Sequence, residues 1–585
     1  MKKEVKRRWR CLWDYAKPYK WSFFNAFFCI LATSFISMFY PYIFGILVNE
    51  VLYSRNMTFF VVVIAVYTIV FFTEQFLHCI LAMTWPYQYN TFLLEVRKKI
   101  YRKLLALRYQ KLTSLPVGDM VSQINWEAES FIELIHRNLA YLLSCTIKLI
   151  VIVLIVFFID WQLGVFMVIM VPVSYMISFY LGKKIGKEQN KVRDSYVGFI
   201  SWCFEMILGI REIKLFNAQD SVMKQCIEKS EDIIEKNYNV AKKEIISDRV
   251  CAFFVLLTNV GVYILAALSI YNGRISLGNF MAVVTYFALA NEMLVKINKF
   301  WGKIHSNYVF IDKIIDLFET DSEEREENKP DICIRNGDIS FDDVCFSYDG
   351  KHTILEHFDM HITSGEHVAL VGRSGAGKST CAGLLLGFFS PSSGTISIDG
   401  MSTADCNLTS LRNAIGVVQQ EIFIFDGTIR QNLSIVSPEA TDEMIYDALR
   451  SVALYDYVSS LPDGLDTVIG QDGINMSGGE KQRLAIARMF LTEKKLFIFD
   501  EATSSLDFES ENAINNALVQ LSENKTCIII AHRLSTVLNA EKIILIDNGK
   551  MIASGTHSEL YENCTEYHDL FEDQYLSKEK INSEK

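Results

Sequence analysis

Long apolar runs separated by polar stretches of helical period fill the first part of the chain, and short β-rich runs alternating with helical segments fill the rest. The apolar runs lie near residues 21–48, 59–85, 139–159, 163–181, 251–271 and 279–301. Each holds close to the roughly twenty residues that a helix needs to cross a hydrocarbon core. The pattern therefore predicts six crossings, with both termini on one side. The polar stretches at 95–111 and 182–248 are too long for hairpins and keep a helical period, so they read as extensions of the membrane helices, each turning back at a tip. The first tip is expected near 115–119, where Pro116 and Gly118 interrupt the helix, and the second near 208–220.

Charge fixes the orientation. Residues 95–111 carry Arg97, Lys98, Lys99, Arg102, Lys103, Arg108 and Lys111, and 182–248 is also rich in lysine, whereas the link at Asp160-Trp161-Gln162 has no basic residue and the other two links have only Arg55 and Arg274. By the positive-inside rule the long connections, the termini and everything after 318 are cytoplasmic, and the cell membrane is the expected location. Residues 6–17 place Trp9, Leu12, Trp13 and Ala16 among basic residues, which predicts an amphipathic helix on the cytoplasmic face. The stretch after it is long enough to span, so it is read as a first crossing rather than a cleavable leader. A charged linker with Pro330 at 319–336 separates a membrane region, 1–318, from an α/β domain, 337–585. No internal sequence repeat makes the chain a two-fold copy of itself.

Within the second region Gly372–Thr380 reads GRSGAGKST, the full G-x-x-x-x-G-K-[ST] pattern, between an apolar strand at 367–371 and a helix expected over 380–389. Gly372, Gly375 and Gly377 let the backbone turn so that successive N–H groups, including those of Arg373, Ser374 and Ala376, converge on a triphosphate at a helix N-terminus. Lys378 is placed to reach the β- and γ-phosphates, Ser379 to hold Mg²⁺, and Thr380 to close the cradle. A second apolar run, 495–499, ends in Asp500-Glu501. A carboxylate at that point suits Mg²⁺, and the next suits activation or positioning of the attacking water.

Four further segments make the pattern specific: Ser477-Gly478-Gly479-Glu480 after Met476, Ser504-Ser505-Leu506-Asp507, Gln420 after the strand at 415–418, and His532 after the strand at 526–530. Together with the P-loop they resemble ATP-binding cassette transporters of the exporter type, with a six-helix membrane bundle and an α/β P-loop ATPase fused in one chain. The resemblance covers essentially the whole chain. It implies that Tyr348 stacks on adenine, that Gln420 senses the γ-phosphate and Mg²⁺, that Glu501 is the catalytic base and that His532 contacts the γ-phosphate. Asp507 belongs to a loop that crosses to a partner, and Ser477, Gly478, Gly479 and Glu480 cap the ATP bound by the other chain. Two positions depart from the family pattern: Glu480 stands where glutamine is usual, and Gln471 where an acidic residue is usual. Segments 118–122 and 205–216 resemble the coupling helices of the family.

The resemblance implies a half-transporter that uses ATP and Mg²⁺ and works as a homodimer or heterodimer in the bilayer, exporting an amphipathic or hydrophobic drug, lipid or peptide. An exporter-fold importer, or the catalytically intact half of a heterodimer, is the alternative. A soluble DNA-repair ATPase with the same signature would lack the apolar runs, and a cargo-cleaving peptide exporter is expected to begin with a protease domain.

Composition adds exclusions. The formal net charge of −11 and the acidic run at 321–327 argue against a nucleic-acid partner. Thirteen cysteines with no C-x-x-C pair give neither a disulfide framework nor a zinc site. Inside the membrane, Glu74 and His78 lie four apart on one helical face and Lys148 sits at a comparable depth, as an internal ion pair or as a substrate or proton site. The aromatics of the first crossing, among them Phe23, Phe24, Phe27, Phe28, Phe35 and Phe39, face lipid or line an apolar pocket.

Overall fold

A computed structural model describes residues 7, 8, 10, 13, 17, 20–50, 57–323, 329–470, 473–500, 508–530 and 540–572. The chain forms two compact units, Met1–Leu107 with Lys111–Asp321, and Arg108–Gln110 with Ser322–Lys585.

Among the described residues the first unit is almost entirely helical. It contains α1 (Lys20–Ser37), α2 (Phe39–Asn49), α3 (Met57–Leu105), α4 (Ala140–Ile159), α5 (Trp161–Leu208), α6 (Gln219–Tyr271) and α7 (Leu277–Glu319). Among the described residues, six helical stretches are long and apolar enough to cross a membrane. At about 1.5 Å per residue, helices of 48 to 53 residues outrun a ~30 Å hydrocarbon core more than twofold, as the polar periodicity predicts for α3, α5 and α6.

The first crossing, expected at 21–48, runs as one membrane-length stretch that is interrupted for a single residue, Met38, between α1 and α2, where the backbone stays near helical. The Met38 carbonyl is satisfied from outside its own helix: the buried Tyr286 hydroxyl of α7 donates to it at 2.7 Å. Below the break α2 runs against α7 so closely that a Cβ on Gly278 would lie 2.0 Å from the Gly45 carbonyl oxygen. The Gly278 N–H donates to Asn49 Oδ1 at 2.9 Å across the same crossing.

Between α4 and α5 the chain turns on one residue. Asp160 adopts extended backbone, and its carboxylate accepts from the Gln162 N–H at 2.8 Å to open α5. Both tips fall where the sequence places them. Pro116 starts the short helix Val117–Ser122, and Gly209 separates α5 from the short helix Ile210–Leu215. The return from the first tip is less regular than its periodicity suggests, with π-helical stretches at Gln123–Glu127 and Glu133–Leu139. They turn Glu127 inward, fully buried and 3.2 Å from Lys313 Nζ of α7. Of the amphipathic helix expected at 6–17, Arg7 and Arg8 are described at the last turns of α7: Arg7 pairs with Asp316 and Glu319, and Arg8 with Asp312 at 2.6 Å.

The second unit holds three sheets. Strands β1 (Ile339–Ser347), β2 (Thr353–Ile362), β4 (Ser393–Ile398) and β5 (Met401–Ser402) form an antiparallel sheet in the order β2-β1-β4-β5. Strands β3 (His367–Val371), β6 (Ile415–Val418), β9 (Leu496–Asp500), β10 (Thr526–Ile530), β11 (Lys542–Asp547) and β12 (Lys550–Gly555) form a six-stranded sheet in the order β12-β11-β3-β10-β9-β6. A small pair joins β7 (Gly427–Thr428) to β8 (Val468–Ile469). Two tight hairpins carry dipeptides suited to type I′ turns. Asp399-Gly400 joins β4 to β5 and Asn548-Gly549 joins β11 to β12, all four residues at positive φ. Buried Leu370, Ile498, Ile528 and Ile544 fill one face of the large sheet against Leu384 and Leu385, while Phe497 and Phe499 point the other way into the helical part around Leu449 and Leu484.

Candidate nucleotide-binding site

Four parallel strands, β3, β10, β9 and β6, deliver their carboxyl ends to one edge of the large sheet, where open α/β sheets bind their ligands. Register places Leu370, Ile530 and Asp500 in one row across β3, β10 and β9, with Val418 of β6 one row behind, opposite Phe499. The loop at 372–377 leaves β3 just past this row. It leads into α8 (Lys378–Leu385), which begins two residues earlier than expected and ends at the Gly387 turn.

The loop has little room to be anything but glycine at its two ends. Gly372, at φ +154°, would place a Cβ 2.1 Å from the Ile546 carbonyl oxygen, and Gly377, at φ +108°, would meet Leu355 at 2.7 Å. Gly375 borders open space. Lys378 is buried with its ammonium folded over the loop, donating to the carbonyls of Gly372 at 2.7 Å and Arg373 at 3.0 Å. Ser379, Arg373 and Ser374 are exposed, whereas Ala376 and Thr380 are buried. A glycine-rich loop, a helix N-terminus and a lysine folded over the loop carbonyls are the parts of an anion cradle.

Tyr348 stands beside this loop, half-exposed, its hydroxyl 3.0 Å from Thr380 Oγ1 and its ring edge-on to Phe346 and Phe389. The turn after it is held by a residue that motif reading does not single out. Asp349 accepts from the backbone N–H groups of Lys351 and His352, each at 2.8 Å, and its other oxygen meets the His352 ring at 2.7 Å. These contacts, the His352 N–H first, hold its carboxyl well below the usual carboxylate range. The signal was an Asx-turn spacing, Asp349 followed by Gly350, in plain view but generic.

Gln420 lies exposed two residues past β6, and Asp500 closes β9. Ser379, Gln420 and Asp500 offer hard oxygen donors of the kind Mg²⁺ takes together with phosphate oxygens. Glu501, Asp507 and His532 lie outside the described residues; the strands that lead to them, β9 and β10, end at the same sheet edge. Gln471 is outside as well.

Ser477 caps α9 (Gly478–Phe490). Its Oγ accepts from the Glu480 N–H at 3.3 Å, and the Glu480 carboxylate accepts from the Ser477 N–H at 2.7 Å. The unusual Glu480 is thus half of a capping box, which glutamate and glutamine both make. Ser477 and Gly478 are exposed and Gly479 is buried.

A P-loop ATPase continuous in sequence with a bundle of six membrane-length helices defines an ATP-driven membrane transporter. A family model described as ABC transporter matches residues 355–504, and one described as ABC transporter transmembrane region matches 23–293. An uncharacterized ABC transporter ATP-binding protein of Bacillus subtilis is 31% identical over 574 residues, covering 97% of this chain and 99% of that one. A Staphylococcus aureus protein named for multidrug export, as an ATP-binding/permease protein, is 33% identical over 496 residues, covering 83% of this chain and 85% of that one. A bacterial Atm1-family ABC exporter solved with ATP bound shares the fold at a TM-score of 0.86 and 23% identity, over 96% of this chain and 98% of that chain. The chain belongs to the ABC transporter family: it is a multi-pass membrane protein that binds nucleotide and couples ATP hydrolysis to transport.

Proposed function

We propose that this chain is a half-transporter that pairs with a second copy of itself and exports amphipathic or hydrophobic compounds. The observation that carries the reading is the shared edge of β3, β10, β9 and β6, which puts the glycine cradle, Asp500 and Gln420 on one side of the sheet. Backbone N–H groups of the loop at 372–377 and Lys378 bind and orient the triphosphate, and Tyr348 supports the adenine. Ser379, Asp500 and Gln420 would hold Mg²⁺, which would supply neutralisation of phosphate charge when bound. Glu501 positions the attacking water, His532 contacts the γ-phosphate, and Asp507 lies at the boundary with the partner. Ser477, Gly478 and Gly479 present a helix N-terminus to the ATP held by the other copy. Two ATP molecules therefore join two nucleotide domains, and hydrolysis releases them, turning the membrane pathway from one side to the other.

The name of the Staphylococcus aureus relative supports export. The excess of basic residues at 95–111 supports a cytoplasmic nucleotide domain and insertion in the cell membrane. The test is vanadate-sensitive ATPase activity of the chain purified alone in lipid nanodiscs, with Glu501→Gln as the blank. Activity lost in that variant by at least a hundredfold supports a self-sufficient homodimer. A folded preparation that binds ATP yet does not hydrolyse it overturns the homodimer and points to a heterodimeric partner.

A further inference from the structure

Acids and bases inside the membrane are confined to three helices. The crossing stretches of α5 and α6, residues 163–181 and 251–271, contain no Asp, Glu, His, Lys or Arg, and neither does the first crossing. Glu74 and His78 lie on α3, Lys148 on α4, and Glu292, Lys296 and Lys299 on α7; the Lys299 side chain is outside the described ones. Charges at this depth cannot face lipid without large cost, so they mark the side of the bundle that lines a polar pathway.

The packing brings them together. Ser144, one turn before Lys148, meets Ser34 of α1 at 2.9 Å, and Cys145 and Leu149 on either side of it pack with Met293, Leu294 and Ile297 of α7. Lys148 therefore sits on the inward face of α4, beside the turn of α7 that carries Glu292 and Lys296. The acids are already engaged. Glu74 is buried, accepts from the Tyr40 hydroxyl at 2.5 Å and lies 3.8 Å from His78 Nε2. Glu292 lies 2.5 Å from Lys296 on its own helix. Glu74 and Lys148, the pair suggested by depth alone, form no ion pair among the described residues.

We propose that Lys148 is a substrate-anchoring residue that receives an anionic headgroup, a carboxylate or phosphate, carried on an apolar body. A half-buried ammonium in a low-dielectric bundle is costly until an anion meets it, and the neighbouring acids already have their own partners. An anionic amphiphile supplies the missing charge, and its apolar body finds the aromatic and aliphatic walls of α1 and α3. A cationic amphiphile would place a second positive charge beside Lys148. This assignment rests on the transport reading above and narrows its substrate class.

The test uses the full chain, nucleotide-free, in nanodiscs of phosphatidylcholine alone, so that no anionic lipid competes. Three dansyl probes share one C11 chain and end in a carboxylate, a hydroxyl or a trimethylammonium group. Binding is read by dansyl fluorescence. The expected result is carboxylate binding at least tenfold tighter than trimethylammonium, lost in Lys148→Met and kept in Lys148→Arg, while hydroxyl binding stays the same in all three proteins. Melting profiles confirm folding, and Lys296→Met serves as a second loss of one membrane cation that should leave the preference in place. Equal binding of the charged probes, or a preference that survives Lys148→Met, overturns the proposal. Neither outcome bears on the Glu501→Gln comparison, which judges the ATPase reading separately.

Discussion

At the scale of single residues, the departures from the family pattern have structural answers. Glu480 closes a capping box with Ser477, so replacing it with glutamine preserves both hydrogen bonds. Glu480→Gln should leave ATPase activity within about twofold and the melting temperature unchanged, whereas Glu480→Ala should cost about 1 kcal/mol in the nucleotide domain. Chemical denaturation of the full chain, followed by ATPase assay, separates the two. Asp399 gives a pH prediction. Burial pushes its pKa up, but the N–H groups of Asn336, Asp338, Arg335 and Gly337 outweigh burial and hold it below the usual value. Because the folded pKa is depressed, this contribution is complete above the unfolded value near ~3.9 and is lost as pH falls through the folded one. Asp399→Asn should lower stability at pH 7 by about 2 kcal/mol, the modest end for charge-assisted bonds because water screens a half-buried group. The difference from wild type should shrink below pH 4 in thermal melts. The cradle glycines were legible in sequence because a phosphate site demands them. Asp349 was legible only as a generic Asx-turn spacing, and the two residues that crowd the loop, Leu355 and Ile546, were not legible at all, since each acts through a tertiary contact that no spacing encodes.

At the scale of elements, hydrophobic runs located the six membrane-length helices found among the described residues, because lipid tolerates neither unpaired backbone nor charge. What they could not locate is how the crossings meet. The break at Met38 is legible only once Tyr286, far away in sequence, is seen donating to its carbonyl. The π-helical stretches around Glu127 are not legible in the sequence either, since a π-turn is set by the tertiary packing that buries Glu127 against Lys313. The contact of Gly45 with Gly278 is a close crossing of backbones that small residues permit. Gly278→Leu should force α2 and α7 apart, cost roughly 1–3 kcal/mol and broaden the size-exclusion profile of the purified protein. Gly182→Ala is the control, for nothing lies within 4 Å of the position its Cβ would take. An unchanged profile for Gly278→Leu would show that the crossing is looser than described.

At the scale of the whole molecule, the division into a membrane part and an ATPase part is a division between two kinds of sequence pattern, and the ordered set of motifs identifies their combination more strongly than any one motif does. The nucleotide-binding domain was the most legible layer, because a phosphate cradle constrains residue types narrowly. The cargo was the least legible, because an amphipathic substrate asks only for apolar walls and a few charges. Those charges acquire meaning when packing places Lys148 beside α7 while Glu74 turns to Tyr40 and His78.

The turn at Asp160 has its own consequence. A chain that reverses between α4 and α5 on a single residue, and between α6 and α7 within Asn272–Ser276, leaves very little chain outside the bilayer at these two links. If the nucleotide domain is cytoplasmic, as proposed above, a protease or a bulky thiol reagent added to intact cells should find little to cut or modify at these two links beyond the exposed Arg274, while the same reagent in inverted vesicles meets the ATPase.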